Sequence, residues 1–190
     1  MSTPSKFSIK RVASILVCTG SLVTGIPVMS SAQTNPGFGF VWGDGPSQKQ
    51  QLGYVLEYGT PKHLSDRWRL KIKRQSVAID GINITYPDYF DGKFRETKIE
   101  LRKSPKNRIF NLKKGETIPL ESVSVDQDNK VIEIIPKEII PADTDIEVVA
   151  SNVKNPTAGG MYYFNCRISS PGGVGLMRYV GTWIVSIFRS

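Results

Sequence analysis

The pattern that most limits the fold of this chain is alternation of apolar and polar residues over short stretches. Residues 67–73 alternate strictly, which places Trp68, Leu70 and Ile72 on one face and basic residues on the other. From Gln51 onward, stretches rich in Val, Ile, Tyr and Phe are separated by turn residues, and no stretch keeps a helical period for three turns. The pattern predicts an all-β protein.

About eight to ten strands are expected at the spacing typical of an immunoglobulin-like β-sandwich, in a single domain over residues 51–190. The polar run at 126–130 predicts a hairpin turn, and the Pro171-Gly172-Gly173 loop joins the last two strands. The clearest strands are predicted at 67–73, 77–86 (interrupted at Asp80-Gly81), 98–102, 122–125, 131–134, 145–149, 161–169 and 181–188.

Residues 1–32 have the pattern of an export signal. Three basic residues precede an uncharged run at 12–28, and Ser30-Ser31-Ala32 supplies the small residues that a signal peptidase reads, which predicts cleavage between Ala32 and Gln33. The alternative is an uncleaved membrane anchor, for which an uncharged run of 17 residues is at the lower limit of length. Export predicts a periplasmic or extracellular protein, with no transmembrane span in the mature chain.

Residues 33–50 are rich in Gly, Pro and polar residues, with Phe38, Phe40 and Trp42 interspersed. This composition predicts a flexible N-terminal arm, whose aromatic side chains could contact a partner in a cell-surface assembly.

Charge and cysteine content narrow the function classes. The signal contains three of the 25 basic residues and none of the 17 acidic ones, which leaves a mature net charge of +5. That charge is too small to indicate a nucleic-acid-binding protein, and export argues against nucleic acid as a partner. Cys18 leaves with the signal, so Cys166 remains as a single thiol, and the alternation of 162–168 places it on the apolar face as core filler.

Several turn and strand blocks carry a family resemblance. In order, they resemble a cyanobacterial family of exported proteins that carry a conserved domain of unknown function, over about Gln51 to Ser190. The resemblance implies a cyanobacterial source and an address outside the cytoplasm, and it carries over no catalytic residue. Structurally, Gly92, Gly160 and Gly181 within or beside these blocks suit backbone positions that a Cβ atom would obstruct, and Trp183 suits the core. The blocks are 86–92 (YPDYFDG), 139–142 (IIPA), 152–156 (NVKNP), 160–164 (GMYYF) and 179–183 (YVGTW).

Catalytic chemistry is not indicated. The chain has one histidine, His63, which is predicted on a surface loop, and it has no Gly-x-Ser-x-Gly motif. No pair of carboxylates stands out as a glycosidase pair. An enzyme is therefore not expected, and no cofactor is expected.

Metal binding is not indicated either. A single histidine argues against copper or zinc. The Asp126-x-Asp128 pair begins like a calcium loop, but Lys130 and Val131 follow where an oxygen ligand and glycine are required. One metal alternative remains, a looser calcium site at Asp88 and Asp91. The other interpretation is that these aspartates shape turns.

One surface feature indicates binding. Arg67, Arg69, Lys71 and Lys73 share a strand face at about 6.8 Å spacing. This distance is within a Debye length of about 8 Å, so their potentials overlap, and the row could hold an anionic glycan or lipid head groups. The alternative is a solvated face whose charges pair with residues such as Glu57 or Glu100, on a strand protected against edge pairing.

The sequence thus predicts an exported, non-enzymatic protein of the cell envelope, acting as a binding or structural module. Its partners would be an envelope protein, an anionic glycan or lipid head groups. The alternatives are a periplasmic protein that binds calcium or copper, and an enzyme whose residues converge from distant segments.

Overall fold

Ten strands and two short 3-10 helices make up the part of the chain that the computed structural model describes, namely residues 46–104, 115–173 and 175–188. The helices span Gln48–Gln50 and Glu96–Lys98. The strands are β1 (Tyr54–Leu56), β2 (Asp66–Ile72), β3 (Gly81–Thr85), β4 (Ile99–Lys103), β5 (Thr117–Ile118), β6 (Leu120–Asp126), β7 (Val131–Pro136), β8 (Ile146–Val153), β9 (Gly160–Ser169) and β10 (Arg178–Ile187).

The strands form two five-stranded sheets in which every strand pairing is antiparallel. The first sheet has the order β1-β2-β8-β4-β5, and the second has the order β10-β9-β3-β7-β6. The protein is therefore an all-β sandwich with an immunoglobulin-like fold, as the alternation predicted. The predicted hairpin is also present, because Asp126 pairs with Val131 across a four-residue turn.

The strand predicted at 77–86 was too long. Only Gly81–Thr85 joins the sheet, whereas Ile79 makes an isolated bridge to Ile140. Glycine suits position 81, where the strand begins, because a Cβ atom there would lie 2.6 Å from Oγ of Ser169. Of the three glycines expected to exclude a Cβ atom, Gly92 and Gly181 are confirmed, but Gly160 is not, since its nearest neighbour would lie at 4.0 Å.

The core between the sheets is built around aromatic side chains. Trp68 on β2 is fully buried, and its ring meets Phe90, Phe94 and Phe164 edge-on at centroid distances of 5.3 to 5.7 Å. Edge-to-face pairs of this kind add about 1 kcal/mol each to the burial of the rings. Trp183 is buried as predicted, and its indole nitrogen donates a hydrogen bond of 2.9 Å to the carbonyl oxygen of Lys71, which links the two sheets.

The chain closes one side of the sandwich just before β1. The amide of Leu52 donates to the carbonyl oxygen of Thr182 on β10 at 2.9 Å, and Gln51 forms a parallel bridge to the same residue. Gly181 allows this approach, because a Cβ atom there would lie 2.3 Å from the carbonyl oxygen of Gln50. The segment that leads into β1 thus covers part of the edge of β10.

Candidate functional site

The predicted basic row lies on β2, with its apolar partners buried as expected. Trp68, Leu70 and Ile72 are at most 2% exposed, and the basic residues point away from the core. However, β2 pairs with β1 on one side and β8 on the other. The interpretation that the charges protect an edge strand is therefore wrong.

Arg69 is neutralised by a residue that the sequence did not single out. Its guanidinium group donates to both carboxylate oxygens of Glu147 on β8, at 3.0 to 3.3 Å. Glu147 is only 1% exposed although it lies on the outer face of the sheet, opposite Lys71 on β2 and Arg102 on β4. A buried carboxylate needs an ion-pair partner such as Arg69, since removing its charge from water costs several kcal/mol.

The other three cations of the row have no carboxylate partner among the described residues. Arg67 and Lys71 are partly exposed and take part in no ion pair there, and the buried Nε of Arg67 has no hydrogen-bond partner. Lys73 is exposed, and its amino group lies 3.5 Å from the carbonyl oxygen of Lys49. Glu100, one of the expected partners, pairs instead with Arg102 on its own strand. The cationic face is thus Arg67, Lys71 and Lys73.

The loop before β2 is held by a buried carboxylate. Asp66 is fully buried and accepts hydrogen bonds from the amides of Tyr58, Gly59 and Arg67 and from the side-chain amide of Asn155, at 2.7 to 3.0 Å. Burial alone would raise the pKa of Asp66, but these hydrogen bonds outweigh it and lower the pKa. The carboxylate is therefore ionised at neutral pH and fixes the backbone of the loop.

Asn155 extends this network to the opposite loop. It is fully buried, accepts a hydrogen bond from the indole nitrogen of Trp68 at 3.0 Å, and donates to the carbonyl oxygen of Thr60 at 2.8 Å. Asn155, which lies in one of the blocks that carry the family resemblance, thus ties the core tryptophan to two loops.

His63 is partly buried in this loop. Its imidazole ring stacks on Tyr58 with a centroid distance of 4.1 Å, and its Nδ1 accepts a hydrogen bond from the amide of Ser65 at 3.3 Å. No hydroxyl, thiol or carboxylate group of the described residues hydrogen-bonds to the imidazole. The contacts of His63 instead position its ring against that of Tyr58.

Two of the candidate calcium aspartates accept hydrogen bonds that hold loops, Asp91 between two distant segments and Asp126 within a turn. Asp91 accepts hydrogen bonds from the amide and hydroxyl of Thr157, and the hydroxyl bond is the main reason that its pKa is lowered. Asp126 accepts from the amides of Asp128 and Asn129 within the hairpin turn. Over the described ranges, no group of three or more His, Cys, Asp or Glu side chains is arranged to hold a metal ion.

Cys166 is a buried free thiol, as its position in the alternation predicted. Burial raises its pKa, so the reactive thiolate is disfavoured. Cys166 lies opposite Ile84 in the sheet and packs in the core with its apolar neighbours.

Other predictions fall outside the described residues, including the signal with its cleavage site at Ala32 and Gln33 and the aromatics Phe38, Phe40 and Trp42. Within the described part, no helix is long and apolar enough to cross a membrane.

A family model for a protein domain of unknown function, DUF2808, matches residues 40–187. The chain belongs to the DUF2808 family. The match covers the whole sandwich and begins before Gln51, where the resemblance seen in the sequence began. A search of the curated proteins finds no match to this DUF2808 chain.

Solved structures with similar folds are distant from this DUF2808 protein. A bacterial hydrophobin, BslA, is 14% identical, with a TM-score of 0.45 over 73% of this chain and 98% of that one. A collagen-binding domain from a Staphylococcus aureus adhesin is 10% identical, with a TM-score of 0.37 over 70% of this chain and 93% of that one. An uncharacterised immunoglobulin-like protein from Nocardia farcinica is 8% identical, with a TM-score of 0.38 over 74% and 99%.

Proposed function

We propose that this DUF2808 protein is an exported, non-enzymatic module of the cell envelope that binds anionic groups through the cationic face of Arg67, Lys71 and Lys73. The observation that carries the proposal is that these cations lie on or directly after a strand paired on both sides, without a carboxylate partner among the described residues. Because β2 fixes the backbone of Arg67 and Lys71, and Lys73 follows it directly, little backbone ordering is needed to bind phosphate, sulfate or carboxylate groups.

The ligand would be an anionic glycan or lipid head groups, with an acidic envelope protein as the other candidate partner. At roughly 1 kcal/mol per charge near an anionic surface, three cations give weak binding that depends on salt. Such binding suits a protein retained at a surface where many anionic groups are present.

The binding test is the double variant Arg67→Gln/Lys71→Gln on vesicles of phosphatidylglycerol in phosphatidylcholine and on dextran sulfate. Loss of two charges worth roughly 1 kcal/mol each predicts binding about thirtyfold weaker at low salt. Arg69 stays unchanged, because its loss would leave Glu147 buried without its partner. Cosedimentation and affinity electrophoresis measure the two ligands separately.

The matched control is Lys98→Gln/Lys137→Gln, which removes the same charge from two exposed lysines elsewhere. The control should bind as the unchanged protein does. If both double variants lose binding equally, net charge rather than the cationic face is responsible, and the proposed site is wrong.

The compartment is tested by fractionating cells that express the full chain. We expect the protein in the periplasm or outside the cell, with Gln33 as its first residue by mass spectrometry of the intact chain. An intact chain in the membrane fraction would favour the uncleaved anchor, and an intact chain in the cytosol would contradict export.

Two alternative functions remain as proposals of lower rank: a periplasmic calcium or copper protein, and an enzyme with residues from distant segments. Elemental analysis of protein purified without chelators tests the first alternative. A stoichiometric metal would favour a metal-binding protein over the anion-binding module.

A further inference from the structure

A groove of about 340 Å³ lies beside the loop that Asp66 holds. Its described lining comes from β1, from the loop after it and from the end of β10. The lining residues are Tyr54, Val55, Leu56, Tyr58, Gly59, Thr60, Ser186 and Phe188. The volume is within the range of sites for small ligands, and the groove is separate from the proposed cationic face.

Two exposed aromatic side chains dominate the groove. Tyr58 and Phe188 are each 56% exposed, which is a large apolar surface to leave in water. One face of the Tyr58 ring is covered by His63 at an interplanar angle of 17°, and the exposed remainder borders the groove. The groove therefore offers aromatic surface on which a flat apolar face can stack.

The backbone at these aromatic residues is held by hydrogen bonds before any ligand arrives. The amides of Tyr58 and Gly59 donate to the buried carboxylate of Asp66, and the carbonyl oxygen of Gly59 accepts a hydrogen bond of 3.2 Å from the amide of Phe188. Both aromatic residues are thus anchored through one loop. A residue whose backbone is already ordered loses less entropy on binding, which favours it as a recognition element.

The polar groups of the groove are hydroxyls, and none of its described lining side chains is charged at neutral pH. The hydroxyls of Tyr58, Thr60 and Ser186 have no hydrogen-bond partner among the described residues, whereas that of Tyr54 accepts from the amide of Ser186 at 2.9 Å. Free hydroxyls argue against a purely apolar occupant, and the absence of charge argues against an ionic one.

We propose that this groove binds a neutral saccharide, one sugar ring of which stacks on Tyr58 and Phe188 while its hydroxyls bond to Thr60 and Ser186. The axial C–H groups of a sugar ring are weakly positive and pack on the negative face of an aromatic ring. The inference depends on the proposed envelope role in one respect only, namely that the cell envelope would be the source of the saccharide.

The test uses cellohexaose, mannohexaose and chitohexaose as probes, with titration calorimetry on the unchanged protein. We expect at least one to bind, and Tyr58→Ala and Phe188→Ala each to weaken that binding about tenfold or more. Tyr58→Phe should bind nearly as well, because the stacking face remains. Tyr89→Ala is the matched control, since Tyr89 is also 56% exposed but lies outside the groove.

His63→Ala separates positioning from contact. It should weaken saccharide binding severalfold with at most a small change in melting temperature, because it removes the ring that backs Tyr58 and one exposed hydrogen bond from the Ser65 amide. No binding of any of the three saccharides at millimolar concentration would overturn the proposal, as would equal loss in Tyr89→Ala. Self-association or binding of apolar peptides that depends on Tyr58 and Phe188, without saccharide binding, would assign the groove to another occupant.

The variant Arg67→Gln/Lys71→Gln should keep saccharide binding, so failure of the cationic face and failure of the groove are distinguishable.

Discussion

At the scale of single residues, the structure uses buried polar groups to hold exposed loops. Asp66 and Asn155 are both fully buried, and their side chains hydrogen-bond to loops, to the adjacent amide of Arg67, to the core tryptophan and to each other. A buried charge contributes stability only when its hydrogen bonds are complete. The carboxylate of Asp66 accepts four hydrogen bonds, about as many as an aspartate can accept, which explains why its charge tolerates burial.

Asp66→Asn should destabilise the protein by roughly 3 kcal/mol. The side-chain NH2 group of the new asparagine would face N–H groups that now donate hydrogen bonds to the carboxylate. The lowered pKa of Asp66 also gives a pH dependence. Its contribution is full above the ordinary aspartate pKa of 3.8 and is lost as pH falls below that value. Urea unfolding at pH 7 and pH 3 should therefore show a smaller stability loss on acidification in the variant than in the unchanged protein.

Asp128→Asn is the control for this prediction, since Asp128 is exposed in the hairpin turn. It should change stability by less than about 0.5 kcal/mol at either pH. An Asp66→Asn protein as stable as the control would show that the hydrogen bonds to the carboxylate contribute little.

At the scale of strands, alternation predicted which side chains of β2 are buried but not how its charges pair. Glu147 is 78 residues from Arg69 along the chain, and only the pairing of β2 with β8 brings them together. The structure therefore divides a row of four similar cations into one neutralised residue and three available ones. This division decides which positions can bind an anion.

Arg69→Met should cost about 3 kcal/mol of unfolding free energy, because it removes the ion-pair partner of the buried Glu147. Arg69→Met/Glu147→Met should recover most of that loss, since apolar residues can replace a buried ion pair. Urea unfolding of the single and double variants gives the coupling energy.

The comparison pair is Arg74 and Asp145, which form an exposed ion pair at 2.8 Å. Arg74→Met should cost less than about 1 kcal/mol. Equal costs for Arg69→Met and Arg74→Met would mean that the burial of Glu147 adds nothing.

At the scale of the whole molecule, the chain joins its sheets at both sides. Residues 50–52 lie along β10 before the chain enters β1 in the other sheet, and Pro119 alone separates β5 of the first sheet from β6 of the second. Both β1 and β5 were missed in the sequence, because strands of three and two residues are too short to show an alternation. They pair at sheet edges, where neighbours rather than their own pattern determine their conformation.

The sequence by itself determined the all-β class, most strand positions, the burial of Cys166 and Trp183, and the outward direction of the basic row. All but the burial of Trp183, which was expected for an aromatic residue on a strand, follow from a period of two residues, which is a local property. Only the tertiary structure decided that Glu147 neutralises Arg69, that Asp66 and Asn155 hold the loops, and that Tyr58 and Phe188 line one groove. The physical reason is that these contacts join residues distant in sequence, and their partners depend on strand order and register, which no local pattern encodes.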